Sequence, residues 1–399
     1  MRKIKERIKK MFDTPAKKKK ASTICAFALV VVLLFAITAE LIEDIRPNFW
    51  DKHLIGNHGN NDSEIVEIEL VNAEGILVSG AVVNFLKVDL NSNRNAKLND
   101  YLISSERVDA QKPVGIHIST NKSKASYYKI ELADNAQFDN ARVDYLHAEY
   151  GTYTFEHLYV NTEYYYRVTA YTVKGTFSEI GQFTTADTPR ILSIEGAYNV
   201  RDIGNWQTDS GKRIKQGLLI RGTEIDGAKE PGYHITNKGL DDLLYVYGIK
   251  MDFDLRNKEH TPLGMDALGS RVEHKYYNSP MYTTIFTDDG KALIGAIFKD
   301  IANPANYPMY LHCTYGADRT GTVCYLLEAV LGVSAEDCLK DYSLTSHTEL
   351  SNILTVTEGL KQYDTTGTMT LKEMAAAYLL DCGLTEQDIT TIRDIFLGE

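Results

Sequence analysis

The sequence is short of cysteine, of tryptophan and, outside one short segment, of positive charge. Of 399 residues only five are cysteines (Cys25, Cys313, Cys324, Cys338 and Cys382), and none falls between residues 43 and 312. No two are closely spaced, so neither a disulfide framework nor a CxxC-type zinc site is expected. No repeat and no low-complexity stretch appears beyond one lysine run. The formal net charge is −11. Residues 1–20 carry ten Lys/Arg against Glu6 and Asp13, a net of +8, which leaves −19 for the remainder. Nucleic acids are bound mainly by neutralising phosphate, so an acidic body of this kind excludes them as partners.

What is present begins with an apolar run. Residues 21–39, ASTICAFALVVVLLFAITA, include no charge. As a helix they would span about 28 Å, close to the hydrocarbon thickness of a bilayer. Lys17 to Lys20 precede the run, and Glu40, Glu43 and Asp44 follow it. The positive-inside bias therefore predicts a basic cytoplasmic segment over 1–20, a transmembrane signal anchor over 21–42 and everything later outside the cell membrane. The competing expectation is secretion after cleavage near Ala39.

Residues 43–63 are polar and read as a spacer. Over 64–187 short apolar or alternating runs (EIVEIELV, ILVSGAVVNFLKV, PVGIHIST, SYYKIELA, EYYYRVTAYT) lie between Asn, Asp and Gly stretches. Seven or so such strands predict an all-β sandwich. The pattern Leu158-x-Val160-x-Thr162-x-Tyr164-x-Tyr166-x-Val168-x-Ala170 resembles the corner and penultimate strand of fibronectin type III domains. That likeness implies that the Tyr164 hydroxyl ties back to the preceding loop. Ten tyrosines lie between Tyr127 and Tyr171; aromatics suit half-buried strands, with a glycan or protein ligand of this domain as the functional alternative.

From residue 188 onward apolar strands alternate with helical stretches, the pattern of an α/β domain with a mainly parallel sheet flanked by helices. Within it, Pro308-Met309-Tyr310-Leu311-His312 reads as a buried strand. Cys313 follows, then five residues, Arg319, and a helix carrying Val323, Leu326, Leu327 and Val330. A loop ending on a helix N-terminus aims backbone N–H groups and the positive dipole end at one point. That arrangement holds a phosphate dianion and favours a thiolate at Cys313, which can attack phosphorus in line. Arg319 offers a planar fork for two equatorial phosphate oxygens. Gly316 permits a left-handed turn, Thr320 can donate its hydroxyl to the sulfur, and His312 orients the loop through its backbone.

The string LHCTYGADRTGTV resembles the signature of cysteine-dependent tyrosine and dual-specificity phosphatases. Asn199-Val200-Arg201-Asp202-Ile203-Gly204, Leu219-Ile220-Arg221-Gly222, Asp254-Leu255-Arg256 with Glu259, and Asp341-Tyr342 extend the likeness over 188–399. They are similar to the bacterial tyrosine-protein phosphatase family related to the secreted mycobacterial enzyme. The resemblance implies a phosphomonoesterase needing no cofactor and no metal, working through a phosphocysteine. It gives Cys313, Arg319, Asp318 and Thr320 catalytic roles and places substrate on Thr314, Tyr315, Gly316, Ala317, Asp318 and Arg319. The family's acid comes from a loop before the signature; residues 278–282 offer no carboxylate there, and Asp288 and Asp289 are the nearest. Ala317 stands where that branch has a lysine linked to phosphoinositide activity.

The expected substrate is therefore a phosphorylated protein, most readily phosphotyrosine, or a small phosphoester. Phosphoinositide or inositol phosphate hydrolysis, and a cell-surface binding protein with a non-catalytic phosphate loop, are the alternatives. Arg201 with Asp202, and Arg256 with Glu259, are expected to form internal ion pairs at the base of the loop, with substrate binding as the alternative. Cys324 is expected to be packing, with trapping of oxidised Cys313 as the alternative. His260 and His274 lack metal-spaced partners and are expected at the surface.

Overall fold

The computed structural model describes residues 65–102, 111–257, 267–345 and 347–398. The apolar run over 21–42 lies outside them. Among the described residues no helix is long and apolar enough to cross a membrane.

Seven strands form two antiparallel sheets. One has the order β1-β2-β5, with β1 Val66–Val71, β2 Val114–Thr120 and β5 Thr152–Phe155. The other has the order β4-β3-β6-β7, with β3 Ala125–Ala133, β4 Arg142–His147, β6 Glu163–Thr172 and β7 Gly175–Thr184. The period of two is clearest in β6, where Tyr164, Tyr166, Val168 and Ala170 are buried and the residues between them are not. These side chains meet Ile116, Ile130 and Phe155 in a core of their own. The Tyr164 hydroxyl accepts a hydrogen bond from the Tyr159 N–H at 2.8 Å.

Between β1 and β2 the chain leaves the sandwich. The stretch expected as a strand over 76–88 instead contains the helix Gly80–Phe85, capped by Ser79. The reason is visible in the spacing: Val78, Ala81, Val82 and Phe85 repeat at three and four residues, which places them on one helical face. That face packs, together with Leu90 and Leu98, into the core of the α/β unit, not that of the sandwich. Lys97 reaches Glu349 at 2.6 Å on the same side.

The α/β unit is built on a six-stranded sheet of order β12-β11-β13-β10-β9-β8. Its strands are β8 Arg190–Ile191, β9 Arg201–Asp202, β10 Leu219–Gly222, β11 Met251–Asp254, β12 Glu273–Tyr276 and β13 Met309–His312. β10, β13, β11 and β12 run parallel; β9 and β8 add an antiparallel edge. Successive side chains feed opposite faces: Met309 and Leu311 enter one core with Phe253 and Val323, and Tyr310 enters another with Ile220 and Leu243. Because β13 sits between two earlier strands, its C-terminal end opens at a reversal of strand order, where α/β sheets form their ligand crevice.

Two side chains fasten the sandwich to this sheet. Arg190 Nε donates to the Leu158 carbonyl at 2.9 Å, and its Nη1 donates to Asp202 Oδ2 at 2.9 Å. Gln216 pairs with both the N–H and the carbonyl of Val160, at 3.0 and 2.9 Å, as a backbone strand would.

Candidate active site

At the end of β13 the chain turns through residues 313–317 and enters the helix Asp318–Leu331. Three consecutive carbonyls of this loop are held from outside. The Thr314 carbonyl accepts from the Glu224 N–H at 3.1 Å. Those of Tyr315 and Gly316 accept from Asn199 Nδ2 at 3.0 and 3.2 Å, and Gly316 also accepts from Arg221 Nη2 at 3.0 Å. In a trans peptide the N–H points opposite to the carbonyl. The N–H groups of Tyr315, Gly316 and Ala317 are therefore turned into the loop, an anion-binding nest. Gly316 is required by this path: its φ is +61°, and a Cβ there would stand 2.3 Å from the Gly222 carbonyl oxygen.

The helix beyond the loop has no side-chain cap at Ala317, so its first N–H groups face the same point. Cys313 opens the loop and is only 3% exposed. Arg319 Nε and Thr320 Oγ1 are buried without hydrogen-bond partners among the described residues. An orphaned guanidinium nitrogen beside an inward-facing amide array is a site for a tetrahedral oxyanion. Tyr315 projects outward, stacking on His347 with centroids 5.3 Å apart and donating its hydroxyl to Glu230 at 2.5 Å. Tyr233 stands edge-on to Tyr315 at 6.1 Å, and Tyr198 packs on Tyr233 at 5.2 Å, so aromatic rings form a wall beside the loop.

The loop rests on buried charges, and here one expected pairing, Arg201 with Asp202, is corrected. Arg201 and Asp202 are neighbours in β9 and point to opposite faces, so they do not pair. Arg201 binds Asp341 instead, Nε to Oδ1 at 3.1 Å and Nη2 to the backbone carbonyl at 2.7 Å. Arg221 binds the other oxygen of Asp341 at 2.7 Å, while Asp202 takes Arg190. Arg256 pairs with Glu224, Asp226 and Asp254 at 2.7 to 2.9 Å; Glu259 and His260 lie outside the described residues. His312 is buried, with Nδ1 3.4 Å from the Cys313 carbonyl oxygen. Its Nε2 is 3.0 Å from Asp252 Oδ1, an ion-pair distance at an angle that misses hydrogen-bond geometry. Burial opposes charge on this ring, but Asp252 and Asp254 outweigh it and raise its pKa to about 9. His274 is half-buried, not a surface residue, and lies 3.8 Å from Asp254.

Asp341 is the hinge of this base. Burial works against its ionisation, yet Arg201 and Arg221 keep its carboxyl below the usual carboxylate range. Its stabilising effect is therefore full above the unfolded-state value of about 3.9 and is lost as pH falls through the depressed folded value. Asp341→Asn leaves two buried guanidinium groups short of a counter-charge. The variant is expected to lose about 3–5 kcal/mol in denaturant unfolding, with a flatter dependence of stability on acid pH.

Asp318 begins the helix, half-buried, and its Oδ1 accepts a hydrogen bond from the Tyr282 hydroxyl. Asp288 is exposed in the first turn of the helix Asp288–Ile301. There a carboxylate favours the helix dipole, and no hydrogen bond or ion pair joins it to the loop among the described residues. Cys324 is fully buried, and burial pushes its thiol up to about 12, a packing residue and not a second nucleophile. Among the described residues no group of His, Cys, Asp and Glu could hold a metal ion. Tyr282, two residues beyond Pro280, is a phenol in a segment where the family resemblance points only to a carboxylate, so the sequence does not single it out.

Residues 192–398, just over half of the chain, match the model described as the tyrosine phosphatase family. No curated protein sequence matches the chain. The core catalytic domain of the PP-IP phosphatase SIW14 from S. cerevisiae, solved with citrate, is similar at 14% identity and a TM-score of 0.27. That match covers 37% of this chain and 87% of the other, a likeness too slight to carry an inference.

Proposed function

The chain belongs to the tyrosine phosphatase family, and on that premise we propose that this phosphatase hydrolyses protein phosphotyrosine through a phosphocysteine on Cys313. The observation that carries the reading is the loop itself: three carbonyls pinned outward, their amides turned in, and Arg319 Nε left without a partner among the described residues. The thiolate of Cys313 attacks phosphorus, the bond to the leaving oxygen breaks, and Asp318 supplies the proton that oxygen takes up. Arg319 and the inward N–H groups hold the equatorial oxygens while charge shifts between them. Water then attacks the phosphocysteine, returning the thiolate and releasing inorganic phosphate.

Asp318 is preferred to Asp288 as acid because it stands in the loop and is oriented there by Tyr282. The aromatic wall of Tyr315, Tyr233 and Tyr198 supports an aryl ester as substrate. The loop's Ala317, in place of a lysine, removes a charge that a polyphosphorylated inositol would use. The setting we propose is a single-pass cell-membrane protein anchored through 21–42 with the catalytic unit outside. The strand order of the sandwich and the Tyr164 hydrogen bond support a fibronectin type III reading of that domain, with a glycan or protein as its ligand.

The test is phosphate release by the full chain from phosphotyrosine peptides, phosphoserine peptides and inositol phosphates. Phosphotyrosine peptides are expected to give the highest kcat/KM. Preference for inositol phosphates would replace the substrate assignment, and turnover of no ester would leave a phosphate-binding protein.

A further inference from the structure

Tyr282 holds a backbone conformation that its side chain disfavours. Its φ is +54°, in the left-handed region, where a residue other than glycine costs about 1–2 kcal/mol. Strain of this kind persists only where the surroundings over-determine it, and it gathers at working sites. Met281 N–H donates to Thr284 Oγ1 at 3.0 Å, and the Ile285 carbonyl accepts from the Tyr378 hydroxyl at 2.9 Å, which together fix the turn Tyr282–Phe286.

What the strain delivers is the phenol. Tyr282 Oη donates to Asp318 Oδ1 and lies 2.8 Å from Tyr342 Oη. Tyr282 has one hydroxyl hydrogen, and it goes to the carboxylate; the hydrogen between the two phenols is therefore that of Tyr342. Tyr342 is itself buried, and helix Asp318–Leu331 meets its ring at Gly321, where a Cβ would come within 2.8 Å of Tyr342 Cδ2. Burial, then the bond to Asp318, keep Tyr282 protonated and so a donor. Asp318 Oδ2 has no protein partner among the described residues.

We propose that Tyr282 is a positioning residue for proton transfer: backed by Tyr342, its hydroxyl ties down Asp318 Oδ1 so that Oδ2 presents the proton to the leaving oxygen. The proposal rests on the reading of Asp318 as the acid. It explains how a chain without a carboxylate over 278–282 still uses that segment: the segment aims an acid housed in the loop. No proton leaves Tyr282 in the step; it moves from Asp318 to the ester oxygen, and the phenol keeps its own.

The experiment compares wild type, Tyr282→Phe and Tyr342→Phe as full chains on aryl and alkyl phosphates graded by leaving-group basicity. Poor leaving groups need the proton and activated ones do not. General-acid assistance is typically worth 10²–10⁴-fold, so Tyr282→Phe is expected to lower kcat about tenfold more on alkyl phosphates than on dinitrophenyl phosphate. Tyr342→Phe is expected to fall between, and both variants are expected to bind vanadate as wild type does. Equal losses across the series, no loss at all, or weakened vanadate binding would overturn the proposal, the last because the loop itself would have moved. Failure of the underlying reading is distinguishable: if Asp318 were not the acid, Asp318→Asn would itself lose kcat equally on alkyl and dinitrophenyl phosphates, whereas a failure of the Tyr282 proposal alone leaves the leaving-group dependence of Asp318→Asn intact.

Discussion

Cys313→Ser is expected to abolish turnover, lowering kcat by at least about 10⁴-fold on every phosphomonoester, because the alkoxide it would need is far less accessible than a thiolate. Stability should hardly change. The substitution exchanges one sulfur for an oxygen at a buried loop start and leaves the Cys313 backbone contact with His312 in place. Binding of phosphate analogues should also survive, since the inward N–H groups of Tyr315, Gly316 and Ala317 and the Arg319 guanidinium are untouched. The signature is loss of chemistry with fold and anion binding retained, measured by steady-state kinetics, thermal unfolding and vanadate or tungstate titration. A variant that kept full activity would require another nucleophile; Cys324 and Cys338 are poor candidates, because burial raises both thiols.

Arg319→Lys is the second large effect. The charge remains but the planar fork does not, and an ammonium cannot span two equatorial oxygens. Loss of one such transition-state contact is expected to lower kcat about 10²–10³-fold. Here too the fold should be indifferent, since Arg319 Nε has no protein partner among the described residues. The contrast with Arg201 and Arg221 is instructive. Both are fully buried on Asp341, and their replacement should appear first as lost stability. Three arginines around one loop are thus separable: Arg319 keeps a nitrogen unpartnered among the described residues, Arg221 holds the Gly316 carbonyl, and Arg201 joins it on the Asp341 base beneath.

How much of this was legible in the sequence depends on how far apart the interacting residues lie. The strand, loop and helix around Cys313 are continuous in the chain, and apolar periodicity with the Cys and Arg spacing was enough to locate them. The outward pinning of the loop was only half legible. Asn199, Arg201, Arg221 and Asp341 could be named as parts of a resemblance, but Arg201 finds Asp341 across 140 residues, and adjacency suggested Asp202 instead. The helix Gly80–Phe85 was missed because a short run of Val, Ala and Phe satisfies both a strand's period and a helix's. Its tertiary partner, the α/β core, decided between them. Tyr282 is illegible for a chemical reason: the resemblance implies a carboxylate in this segment, and the fold supplies a phenol bonded to a carboxylate from elsewhere, Asp318.

The central claim is that phosphate passes through the sulfur of Cys313. Rapid quenching of the full chain during turnover of a phosphotyrosine peptide, followed by proteolysis and mass spectrometry, tests it most directly. The account predicts one phosphoryl group on the peptide that contains Cys313, formed at a rate no slower than turnover and absent from Cys313→Ser. Turnover with no phosphoryl on Cys313, or with the phosphoryl on any other residue, would contradict it.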